Sequence, residues 1–103
     1  MSKTSGKISE NIPQSFSLGG HTIKVIVHPE TENDKSGEWI QEESTIRLWP
    51  KNRTPDYMLV TFYHEVAHAI LDVWGRPEDS SNEQLVDVIG QGLMQFAKTA
   101  KYK

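Results

Sequence analysis

The stretch from Thr54 to Gly75 constrains this fold more than any other part of the chain, because its ends and its interior all carry helix signals. Thr54 is a good N-cap, Pro55 suits the first helical position, and Asp56 complements the positive end of the helix dipole. Met58, Phe62, Val66, Ile70 and Val73 then keep helical spacing, and nothing breaks the register before Gly75 and Pro77. The pattern predicts an amphipathic helix of about 20 residues running from Pro55 to Trp74. A chain of 103 residues has room for a single hydrophobic core.

Inside that helix stands His64-Glu65-Val66-Ala67-His68. Residues four apart on a helix lie one turn above the other, so His64 and His68 can each point an imidazole nitrogen at one ion about 2.0 to 2.1 Å away. Glu65 is turned about 100° around the axis from His64, where it can reach a water on the metal and act as its general base. The chain has no cysteine, so a transition metal depends on histidine and carboxylate donors. A hydrolytic zinc site commonly takes three protein ligands, so a third donor has to come from elsewhere in the chain.

A second helix is signalled downstream, with Asp79-Ser80-Ser81 as caps and with Leu85, Val86, Ile89, Leu93, Phe96 and Ala97 at steps of three and four, fading near Thr99. The Gly75-Arg76-Pro77 turn lets it fold back on the first. Glu83 is its first carboxylate and the candidate third ligand. Asp87, one turn further on, is placed to accept the far N–H of His64, which would fix the tautomer of that ring. Each has a plainer reading: Ser80-Ser81-Asn82-Glu83 is also a capping box, and Asp87 could be a solvated face residue. Gly90 and Gly92 each cost about 1 kcal/mol relative to alanine inside a helix, which suggests a close helix approach or access to the metal face.

Before the helices the period changes. Residues 1–13 are polar and lack apolar periodicity, and are expected to form a flexible arm ahead of a single domain spanning 14–103. Phe16 and Leu18 alternate with serine, Gly19-Gly20 supplies a turn, and Thr22 to Val27 is β-branched apart from Lys24. Glu38 to Gln41 and Thr45 to Trp49 flank Glu42-Glu43-Ser44 at hairpin spacing. With strands first and two helices last, the expectation is an α+β fold in which an antiparallel sheet covers one side of the helix pair. The sheet edge, taken as Thr45 to Trp49, offers an extended substrate a place to add as a strand. Trp39, Trp49 and Trp74 read as core or rim aromatics. His21, His28, Tyr57, Tyr63 and Tyr102 are polar candidates near a site, none assignable as an oxyanion donor.

Net charge is −3, which gives no general attraction to nucleic acid or to anionic membranes. No apolar run approaches the roughly 20 residues of a membrane span, and no secretory signal pattern is present, so the expected location is the cytoplasm.

These residues resemble the gluzincin metallopeptidases, in which His-Glu-x-x-His on one helix is joined by a glutamate from the next, often within Asn-Glu-x-x-x-Asp. That second element reads Asn82-Glu83-Gln84-Leu85-Val86-Asp87 here. The segment from Phe62-Tyr63-His64 to Gly92-Leu93, with Gly37-Glu38-Trp39 and Thr45-Ile46-Arg47-Leu48 before it, is similar to minimal gluzincins and to phage or microbial metallopeptidases. The resemblance implies a zincin-like fold, a small antiparallel sheet of about three strands packed on an active-site helix and a C-terminal glutamate helix, with a catalytic Zn2+ and a peptide or protein substrate. The alternative function is a catalytically latent zinc-binding module with a regulatory or interaction role, in which the ion ties the helices together.

Overall fold

The long helix begins where its cap chemistry places it. Thr54 is extended and its side chain accepts the Tyr57 N–H at 3.1 Å, Pro55 occupies the first turn, and helix α1 runs Pro55–Val73 in a computed structural model that describes residues 11–102. It ends on Gly75, whose φ of 75° is left-handed. The Gly75 N–H bonds to the Asp72 carbonyl and the Arg76 N–H to that of Leu71, the paired closure that lets orphan carbonyls find donors. The chain then makes a short helix, α2 (Pro77–Ser80), and a last one, α3 (Glu83–Thr99). The cap of α3 is Asn82, whose side chain accepts the Leu85 N–H at 3.2 Å. The expected caps Asp79, Ser80 and Ser81 belong instead to α2 and its end, because Pro77 starts a separate turn of helix one residue after Arg76.

Four strands precede the helices: β1 (Ser15–Leu18), β2 (His21–Val27), β3 (Gly37–Ile40) and β4 (Thr45–Leu48). Gly19 and Gly20, at φ of 52° and 85°, turn β1 into its antiparallel partner β2. A 3-10 turn over Gln41–Glu43, closed by left-handed Ser44, joins β3 antiparallel to β4. The sheet order is β1-β2-β4-β3, and β2 pairs with β4 in parallel, Val25 opposite Ile46.

The expected antiparallel sheet of about three strands is therefore corrected to a mixed sheet of four. The chain between β2 and β3 passes over one strand position, and β4 returns into the gap. Hairpin spacing fixes that β3 and β4 are neighbours but says nothing of the slot they take beside β2. Thr45–Leu48 is paired on both sides and cannot be a sheet edge; the edges are β1 and β3.

One face of the sheet packs on α1. Ile23, Ile46 and Leu48 meet Met58, Leu59, Phe62 and Val66, with Ile12 at 5% exposure among them. Of the expected arm 1–13, residues 1–10 lie outside the described residues and Ile12 is part of this core. Helix α3 buries only Val86 and Gly90, while Leu93 and Met94 pack partly on the core and Phe96 stays exposed. Among the described residues no helix is long and apolar enough to cross a membrane.

Candidate metal centre

Two imidazoles and a carboxylate meet where α1 and α3 come closest. Gly90 makes that approach possible: a Cβ there would lie 3.0 Å from the His64 Cα and 3.1 Å from the Tyr63 carbonyl oxygen. At Gly92 nothing stands within 4 Å, so of the two glycines only Gly90 is a contact. With the helices this close, the Glu83 carboxylate reaches across to both histidines, Oε1 at 3.1 Å from His64 Nε2 and Oε2 at 3.5 Å from His68 Nε2. His64, His68 and Glu83 each offer one ligand atom, and these atoms lie within 4.8 Å of one another. Two donors about 2.0 to 2.1 Å from a single tetrahedral ion stand roughly 3.3 Å apart, so the two nitrogen–oxygen separations suit a shared cation.

The outer ring nitrogens are also held. His64 Nδ1 lies 3.0 Å from Asp87 Oδ1, and His68 Nδ1 lies 3.1 Å from Ser80 Oγ. His64 thus has a carboxylate oxygen at each ring nitrogen, but a neutral imidazole has one N–H to give. With Nδ1–H donating to Asp87, the Nε2 lone pair confronts the Glu83 oxygen, a repulsion that a cation between them converts to attraction. Protonation of the ring is the other way to satisfy both contacts. Two imidazoles and one carboxylate, without thiolate, form a donor set that a divalent first-row metal ion accepts.

Glu65 lies on the face of α1 adjoining that of His64, and the two line one cleft. Glu65 is 9% exposed, and burial lifts its carboxyl from 4.5 to about 7; a charged His64 opposes the shift, the nearby Glu83 and Glu38 add to it, and a hydrogen bond from the Trp39 backbone opposes it weakly. That hydrogen bond ties the carboxyl to the sheet edge. The Trp49 N–H bonds to the Ser36 carbonyl at 3.0 Å; in an antiparallel ladder the bonded pairs alternate, so Glu38 and Ile40 bond to β4 while Gly37 and Trp39 turn their backbone groups outward. The Trp39 indole N–H donates to Asp72 Oδ2 at 2.9 Å, clamping β3 along α1. Gly37 is the close contact: a Cβ there would stand 2.6 Å from Thr61 Cγ2 and 3.2 Å from Glu65 Cγ.

Beside Glu65 lies an open cleft of about 320 Å³ lined by Ser36, Tyr57, Val60, Thr61, His64 and Glu65. Tyr57, 53% exposed, is the one sequence-singled tyrosine in it; Tyr63 packs its ring against Phe62 at 5.1 Å and Tyr102 is exposed. His28 stacks on Trp49 with centroids 5.0 Å apart and lies 3.1 Å from Arg47, away from this cleft, and His21 is exposed at the start of β2. The capping-box role of Glu83 is not made: the Ser80 N–H bonds to the Arg76 carbonyl instead.

Sequence reasoning missed Ser80 as a partner of His68 and Trp39 as a partner of Glu65. Ser80 was visible only as a cap candidate, and Trp39 bonds through its backbone, which no side-chain pattern announces. Comparison with models of known families, with curated proteins and with solved structures finds no significant match to this chain.

Proposed function

We propose that this chain is a gluzincin-type zinc metallopeptidase that holds Zn2+ through His64, His68 and Glu83 and uses Glu65 as the general base in peptide hydrolysis. The observation that carries the reading is the convergence of one nitrogen from each imidazole and one carboxylate oxygen within 4.8 Å, beside a buried glutamate that opens on a cleft. A bound zinc ion supplies Lewis acidity, polarising a carbonyl and acidifying water close to it.

The chain's own residues do the rest. Asp87 accepts Nδ1–H of His64 and directs its Nε2 toward Glu83. Glu65, on the adjoining face of the same helix, takes a proton from the attacking water and delivers it to the leaving amine nitrogen. The Trp39 backbone and the Gly37 close contact hold the Glu65 carboxyl at the cleft. An extended peptide has β3 to lie against, since Gly37 and the Trp39 carbonyl face outward on that edge while the Trp39 N–H holds Glu65, and the Tyr57 and Val60 side of the cleft accommodates its side chains.

The test is Glu65→Gln with elemental analysis of both proteins and a peptide-library digest. The parent should hold one zinc and cleave, and the variant should keep its zinc while cleavage falls by about 100-fold or more. Cleavage undiminished in the variant refutes the base role.

One observation favours the second reading, a latent zinc-binding module. The cleft is lined from α1 and Ser36 alone, and the Glu83 and Asp87 side chains are 67% and 61% exposed. Stoichiometric zinc in a parent chain that cleaves no peptide decides for that reading.

A further inference from the structure

Ser80 lies at the end of α2 with 7% exposure, and its position is held by the turn before it. The Ser80 N–H bonds to the Arg76 carbonyl at 3.0 Å, and the Arg76 guanidinium grips Asp79 Oδ2 through both Nε and Nη2 at 2.8 Å. This delivers the Ser80 hydroxyl to His68 twice: Oγ lies 3.1 Å from the ring Nδ1 and 3.4 Å from the backbone carbonyl oxygen of the same residue.

The hydroxyl has one proton and two lone pairs, while a carbonyl oxygen only accepts. If the proton goes to the carbonyl, Oγ is an acceptor toward the ring, and the His68 Nδ1 must carry hydrogen. The Nε2 lone pair is then free on the side of Glu83 Oε2. Asp87 does the equivalent at His64 with a carboxylate, so the two rings are oriented by different chemistry: a charged acceptor on α3 and a neutral, buried hydroxyl on the turn between the helices. Asn82 is committed to capping α3 and leaves this task to Ser80.

We infer that Ser80 is a positioning residue of the metal centre, fixing His68 as the Nδ1–H tautomer so that Nε2 faces the ion; the inference rests on the zinc reading of the site. It makes metal affinity depend on a serine that reaches the ion only through the imidazole of His68. Partners of this kind are typically worth about 10- to 100-fold in affinity.

Two measurements test it. In chelator-treated protein at alkaline pH, long-range proton–nitrogen NMR should report His68 as the Nδ1–H tautomer in the parent and lose that preference in Ser80→Ala. In competition with a fluorescent chelator, Ser80→Ala should bind zinc about 10- to 100-fold more weakly than the parent. Ser80→Thr should stay near the parent. If alanine leaves the protein unfolded, Ser80→Thr against the near-isosteric Ser80→Val isolates the hydroxyl, with valine the weaker binder. An Nε2–H tautomer in the parent, or equal zinc affinity with and without the hydroxyl, overturns the role of Ser80 and leaves the centre standing. A parent chain that takes up no zinc overturns the centre, and this inference with it.

Discussion

Glu65 is the one carboxylate that the fold buries among the described residues, and that gives it a measurable signature without any substrate. Its carboxyl is moved from 4.5 to about 7, first by desolvation. A raised value means that the folded chain binds the proton more tightly than the unfolded one. The contribution to stability is therefore intact below pH 4.5 and is lost as pH rises through about 7. At 1.36 kcal/mol for each unit the loss amounts to about 3 kcal/mol. Urea unfolding of chelator-treated parent and Glu65→Gln should show a stability difference that shifts by about 2.5 kcal/mol of that in favour of the glutamine between about pH 5 and pH 8. Parallel pH profiles would mean that the carboxyl is not buried as described. The measurement belongs to the metal-free protein, since a dication nearby favours the ionised carboxylate.

At the scale of elements, the two glycines of α3 separate packing from propensity. Gly90→Ala puts a methyl group 3.0 Å from the His64 Cα and 3.1 Å from the Tyr63 carbonyl, both backbone atoms that cannot step aside. The gain in helix propensity, about 1 kcal/mol, is set against overpacking of about 1 to 3 kcal/mol, and the helix has to move off His64 to relieve it. Gly92→Ala meets nothing within 4 Å and keeps the propensity gain. Thermal melts should thus rank Gly92→Ala above the parent and Gly90→Ala at or below it, with weaker zinc binding only in Gly90→Ala; the reverse order would mean that α3 does not sit against α1 at this point. Both glycines look alike in the sequence, and only the facing helix distinguishes them. The same holds for other elements. Thr54, Pro55 and Gly75 wrote the limits of α1 into local chemistry, and His64 and His68 became readable as a pair once the helix was. The slot of β4 beside β2 depends on chain path rather than on local pattern, and the Asp79-Ser80-Ser81 signal was real but capped nothing of α3, because Pro77 opened a helix of its own.

For the whole molecule, the sheet and α1 share one apolar core, whereas α3 buries only Val86 and Gly90 fully, with Leu85, Ile89, Leu93 and Met94 half-buried and Val88 and Phe96 exposed at 69% and 63%. So little apolar burial holds a helix of 17 residues weakly. Glu83 and Asp87 lie on that helix, and both histidines lie on α1, so an ion at their meeting point joins a mostly exposed helix to the one that packs on the sheet. Binding that is selective for the folded state stabilises it by about 2.7 kcal/mol when free zinc is 100 times its Kd. In a domain of this size that corresponds to a rise in Tm of about 10 to 20 °C. The gain should also be distributed unevenly. Hydrogen exchange should slow most in α3 and in the Gly75-to-Asn82 turn on adding zinc, while β2 and β4, already central to the sheet, change little. A chelator that alters neither Tm nor α3 exchange would show that the two helices meet without an ion; a uniform change across the sheet would show that the metal acts on global folding rather than as a tie between α1 and α3.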